Sequence, residues 1–142
     1  MEPHLFEVKV NQQGRDLIAR IRNWAKFFYV CTFFTLVFDF ANGFVAFKKF
    51  YKLYDSYPSL LKMEFIVSNG FIFIYSLLLV ASGYFFYRFA TRSFFAVEQD
   101  NESSYNDALR FLLKHITIAS ILFGLNSLWA FLIFYVQIKL GY

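Results

Sequence analysis

Residues 65–87 read FIVSNGFIFIYSLLLVASGYFFY, 23 consecutive positions without a charge between Glu64 and Arg88. At 1.5 Å rise per residue, a helix of that length reaches about 30 Å, the thickness of a bilayer's hydrocarbon core. Working outward, two more stretches have the same character. One is FFYVCTFFTLVFDFANGFVAF, residues 27–47, broken only by Asp39; the other is residues 116–138, between His115 and Lys139. Buried helices of soluble bundles rarely carry three such runs, so a membrane is the expected solvent. The first run is not a cleaved signal: it begins 26 residues in, is too long, and lacks a small-x-small cleavage site.

The composition agrees. Of 142 residues 58% are hydrophobic and 24% aromatic, including 22 Phe, while only 17% are charged. An ordinary soluble domain carries roughly 25% charged residues. Intrinsic disorder is excluded by the apolar content, and a disulfide scaffold by the single Cys31. A net charge of +4 is spread too thinly for a surface that tracks nucleic-acid phosphates. The predicted fold class is an all-α membrane protein forming one membrane domain over residues 1–142. Its three transmembrane helices are joined by an N-terminal interfacial amphipathic helix and a cytoplasmic helical hairpin, the latter built from extensions of helices two and three.

Three spans put the N-terminal segment and the 88–115 connection on one side. That side carries Lys9, Arg15, Arg20, Arg22, Lys26, Arg88, Arg92, Arg110 and Lys114; the other carries Lys48, Lys49, Lys52, Lys62 and Lys139. An excess of nine basic residues over five favours a cytoplasmic N-terminus and an external C-terminus. The cluster KKFYK, residues 48–52, argues the other way.

Outside the spans, residues 1–10 alternate apolar and polar from Phe6 to Val10 and read as a tail. From residue 11 the period becomes helical. Leu17, Ile18, Ile21 and Trp24 share a face, with Arg15, Arg20 and Arg22 elsewhere, which predicts an interfacial helix over 11–26 running into the first span, its basic residues beside anionic head groups. Pro58 suits the first turn of the second helix. Beyond the second span the helix continues through Arg92 and Phe95 to EQDNES, a turn by composition. Ser104, with Asp107 three residues on, predicts an N-cap for the next helix. Phe89, Phe95 and Val97 are expected to pack against Ala108, Leu109, Leu112 and Leu113, leaving an acidic tip. The tip lacks the spacing and turn glycine of a Ca²⁺ loop.

The segments NWAKFF before the first span, YFFYRFATRS leaving the second, and NDALRFLLKHITIASIL entering the third resemble a family of small bacterial membrane proteins catalogued only as a domain of unknown function. The resemblance covers roughly residues 11–138. It implies three spans, a similar helical hairpin and a bacterial cytoplasmic (inner) membrane. It implies no activity, ligand or catalytic residue.

Within the bilayer, polar residues are informative because they are costly there. Thr32, Thr35, Asp39, Asn42 and Ala46 are spaced 3, 4, 3 and 4, one helical face with phenylalanines over most of the rest. The second span has Asn69, Ser76 and Gly83 at sevenfold spacing, and the third has Thr117, Ser120, Gly124 and Ser127. Small and polar residues let membrane helices approach and hydrogen-bond. Rise per residue puts Asp39 about 18 Å from the inner boundary and Tyr75, Ser76, Asn126 and Ser127 at about 15–18 Å. The predicted intramembrane polar cluster is Asp39, Asn42, Asn69, Tyr75, Ser76, Asn126 and Ser127. Two readings stand for Asp39: a protonated carboxyl holding helices together, or a proton- or cation-handling site. No second intramembrane carboxylate, basic residue or histidine offers a relay.

Other chemistry finds no footing. His4 and His115 lie in the tail and at a membrane edge, so a bis-His haem inside the bundle is excluded. Cys31 reads as a packing residue and Asn69-Gly70 as a packing notch. Phosphate loops, nucleophile–base sets and metal-ligand spacings are missing, so neither enzyme activity nor a cofactor is expected. The expected partners are the lipid bilayer and a membrane protein or a second copy, with no nucleic acid. The expected function is that of a non-catalytic subunit or scaffold in a larger membrane complex; the alternative is a small oligomeric channel or transporter using Asp39.

Overall fold

The computed structural model describes residues 12–56, 59–99 and 102–140. The 1–10 tail, Pro58 and Asp100 of the acidic tip lie outside the described residues. Among the described residues there are three long helices, α1 (Gln12–Lys52), α2 (Ser59–Gln99) and α3 (Glu102–Leu140), with a short 3-10 turn at Tyr54–Ser56 after α1. They contain 41, 41 and 39 residues. Each is therefore about 60 Å long, twice the thickness of a hydrocarbon core. All three are long and apolar enough to cross a membrane, and only 6%, 11% and 6% of their most apolar windows is buried within the protein. Helices that expose so much Phe, Ile and Leu need lipid around them.

The packing follows a repeat that can be read residue by residue. From Arg22 to Phe50, the α1 positions that are not exposed are Arg22, Ala25, Tyr29, Thr32, Leu36, Asp39, Gly43, Ala46 and Phe50. They alternate spacings of three and four, the heptad that keeps a seam facing a partner along a left-handed pair. Facing them on α2 are Phe65, Asn69, Phe73, Ser76, Gly83, Tyr87 and Phe94. The rings of Phe50 and Phe65 stack at 4.1 Å, Tyr29 and Tyr87 stack at 6.0 Å, and the Arg22 guanidinium lies 3.8 Å over Phe94. A Cβ added at Gly83 would sit 2.7 Å from Thr32 Oγ1 and 3.4 Å from the Tyr29 Cα, so the two backbones come together there.

A second seam joins α2 to α3. Phe71 stacks on Trp129 at 4.5 Å and Phe85 on Phe111 at 6.3 Å. On α3 the covered positions Ser104, Ala108, Phe111, His115, Ile118, Leu122, Leu125 and Trp129 follow the same repeat. Both α1 and α3 pack on α2, and they share no seam of comparable extent with each other. The central helix is α2.

Several expectations are corrected by this arrangement. Residues 12–26 are the first turns of α1, continuous with the first span. Along these turns Leu17, Ile21 and Trp24 are exposed, and Ala25, fully buried, sits in the seam. The reason is the length of α2, which offers Phe94 and Val97 as partners and carries the seam beyond the apolar run. The α2 and α3 extensions close on small residues, with Ala90, Ala96, Ser104 and Ala108 buried, whereas Phe95, Leu109 and Leu113 point outward. Ser104 is not a cap: α3 starts at Glu102, so Ser104 lies in its first turn. A Cβ added at Gly70 meets nothing within 4 Å, which makes it no packing notch, and Cys31 is exposed rather than packed.

Candidate functional site

The seam between α1 and α2 places Asp39 against Ser76. Asp39 is half-buried and Ser76 is fully buried; the Ser76 hydroxyl hydrogen-bonds the Asp39 carboxyl and also lies 2.9 Å from the Ile72 carbonyl. One hydroxyl proton cannot serve two acceptors well. The Ser76 hydroxyl is the donor in both contacts, shared between the Asp39 carboxyl across the seam and the Ile72 carbonyl in its own helix.

Beside this pair, α1 and α2 open a groove of about 260 Å³, walled by Phe40, Phe44, Phe47, Phe65 and Phe73. Asp39 and Asn69 are its polar groups. Asn69 spends a donor on the Phe65 carbonyl at 2.8 Å, a local bond within α2. The Lys48 amine lies 4.8 Å over the Phe44 ring near one end.

The rest of the expected cluster is not drawn in. Asn42 is exposed on α1, one position from the seam residue Gly43. Tyr75 belongs to the other side of α2, where it stacks on Phe71, the partner of Trp129. Asn126 and Ser127 are exposed on α3. Asp39 and Ser76 meet in the α1–α2 seam, whereas Tyr75 is linked through Phe71 to the α2–α3 seam. Of the expected interface residues, Arg15, Arg20 and Trp24 are exposed and Arg22 packs on Phe94.

Sequence reasoning missed a polar link between α2 and α3. His115 Nδ1 lies 3.0 Å from Ser82 Oγ and 3.0 Å from the Ser82 carbonyl oxygen. A serine beside a histidine suggests a nucleophile and its base. Here Nδ1 is engaged by the Ser82 carbonyl, which can only accept, as well as by the hydroxyl. Ser82 is also buried, 3% exposed, with the Phe86 ring 5.0 Å from the imidazole. The link holds helices together. Its signal in the sequence was the spacing of His115 seven residues after Ala108 and seven before Leu122. Among the described residues no three His, Cys, Asp or Glu side chains gather where a metal could bind.

Comparison with family models, curated proteins and solved structures finds no match to this chain.

Proposed function

We propose that the chain is a non-catalytic subunit or scaffold of a larger assembly in a bacterial inner membrane. The observation that carries this reading is a second face on α3. Ser120, Gly124 and Ser127, with Thr117 beside them, are exposed within the apolar stretch. At 100° per residue they lie on the side of α3 opposite the α2 seam. Residues of this size are what a membrane helix offers to another helix, since lipid tails gain nothing from a serine or a glycine. The partner is a transmembrane helix of another protein or of a second copy. Kinship with the small three-span bacterial proteins belongs to the same proposal and rests on the motifs quoted above. So does the orientation, with the amphipathic start of α1 and the turn between α2 and α3 on the cytoplasmic side.

The test is native purification from membranes followed by mass spectrometry, with Gly124→Leu compared against Phe34→Leu, a change at an exposed α1 position. A stoichiometric partner or second copy should accompany the unaltered protein and the Phe34 variant, and be lost with Gly124→Leu. A monomer that never carries a partner would overturn the proposal.

The groove at Asp39 favours a second reading, a small channel or transporter in which that carboxyl exchanges a proton or cation. Flux in proteoliposomes that Asp39→Asn abolishes would support it.

A further inference from the structure

At the end of the apolar run of α2, two cations converge on one aromatic ring. The Arg88 guanidinium carbon lies 5.3 Å from the Phe111 ring centre, and the Lys114 amine lies 5.8 Å from the same centre and 5.5 Å from that of Phe85. The Phe85 and Phe111 rings stack across the α2–α3 seam, so both cations are held where the two helices meet. Cation–π attraction of this kind operates within about 6 Å and positions the charges without neutralising them.

Neutralisation does not come from the described residues. Arg88 Nε is buried and has no hydrogen-bond partner. Among the described residues, no carboxylate forms an ion pair with Arg88 or Lys114. The nearest acid along α3, Asp107, is one turn before Phe111, and Glu98, which lines a pocket with Asp16, is ten residues beyond Arg88 on α2. His115, next in sequence, has Nδ1 occupied by Ser82. Two like charges at one ring repel unless an anion sits between them. With Nε closed off, the terminal guanidinium nitrogens and the lysine amine are the donors left for it.

Depth identifies the anion. Arg88 is the first residue after the uncharged 65–87 run and Lys114 is two residues before the 116–138 run. Both therefore stand within about 3 Å of the hydrocarbon boundary, where lipid phosphates lie. Immediately on the membrane side, Tyr84 and Ile116 are exposed and offer apolar surface to an acyl chain. We infer that Arg88 and Lys114 form a site for the phosphodiester of an anionic phospholipid, seated at the α2–α3 seam. The site is independent of whatever covers the far face of α3.

The test uses the full chain, delipidated in detergent and offered phosphatidylglycerol or phosphatidylcholine, with bound lipid read by native mass spectrometry. Phosphatidylglycerol should be retained at one per chain and at least about tenfold more tightly than phosphatidylcholine, as expected for charge-assisted hydrogen bonds to phosphate. Lys114→Gln, an exposed and structurally mild change, should erase most of that preference, and Arg88→Gln with Lys114→Gln should erase all of it. Arg15→Gln with Arg20→Gln removes the same charge from the same end of the molecule and should leave the preference intact. Equal loss in that control would mean general electrostatic attraction and overturn the site. Undiminished binding in Lys114→Gln would overturn it too. Displacement of the lipid by equimolar inorganic phosphate would show a free-anion site in its place.

Discussion

Asp39 and Gly83 show how single atoms set the spacing of α1 and α2. Asp39→Asn keeps size and hydrogen-bonding capacity, so its contact with Ser76 can be rebuilt and the pair should stay assembled. Asp39→Leu leaves the buried Ser76 hydroxyl with only the Ile72 carbonyl. It should cost ~0.5–2 kcal/mol, the range for hydrogen bonds between membrane helices. Thermal unfolding of both variants in detergent checks the ranking, and an Asn variant as unstable as the Leu variant would refute it. A variant that is stable but inactive would instead favour the proton- or cation-handling reading. Gly83 acts through space it leaves empty. Gly83→Ala puts a methyl 2.7 Å from Thr32 Oγ1, so the helices must separate or Thr32 must move. A loss of about 1–3 kcal/mol is expected for such overpacking. Thr32 Oγ1 donates to the Tyr29 carbonyl at 2.8 Å, a bond within its own helix and cheap to lose. Adding Thr32→Ala should therefore recover part of the loss, and a double-mutant cycle measures how much. Additive losses would place the strain at the Tyr29 backbone, 3.4 Å away, rather than at the hydroxyl.

At the scale of the helix, the sequence declared the number, the order and the apolar lengths of the spans, because three charge-free runs have no other economical explanation. It declared the seam only in part. Thr32, Asp39 and Ala46 lie seven apart and belong to the true α1 face, as Asn69, Ser76 and Gly83 do on α2. The intermediate positions were the difficulty. A repeat of three and four can be completed by Thr35 and Asn42 or by Leu36 and Gly43, and polarity pointed to the first pair. Leu36 and Gly43 are covered while Thr35 and Asn42 are exposed. In lipid the outside is as apolar as the inside, so polarity marks the buried face less reliably than small size does. Thr35 can afford exposure because its hydroxyl bonds the Cys31 carbonyl at 3.0 Å. What holds the helix extensions past the apolar runs was illegible for a related reason: Arg22 on Phe94 and buried alanines leave no charge-free run. If this seam is right, Asn42→Leu should change stability by no more than about 0.5 kcal/mol, the usual scale for an exposed position. The comparison is with Ala46→Leu, a covered position where overpacking should cost about 1–3 kcal/mol. Similar losses at both would mean that α1 is rotated from the face described.

Over the whole molecule, charge is distributed along the long axis. Arg22 on Phe94 brings the start of α1 beside the end of α2, and Arg88 and Lys114 meet at Phe111, so these cations share one end. Lys48, over Phe44, and Lys62, over Tyr54, belong to the other. Counting all Lys and Arg by span gives nine against five, and the nine-residue end is expected in the cytoplasm. The five-residue end is not negligible, because Lys48, Lys49 and Lys52 are clustered; an asymmetry of this size is a bias that labelling has to decide. Gln99 and Ser56 are exposed and lie at opposite ends, and the native Cys31 is exposed within the apolar run, so it must first be replaced. In intact cells, Ser56→Cys should react with a membrane-impermeant thiol reagent, and Gln99→Cys should react only after the cells are opened. Reversed labelling would invert the topology. It would also move the Arg88–Lys114 pair to the outer leaflet without altering its geometry, so orientation and lipid site are tested separately.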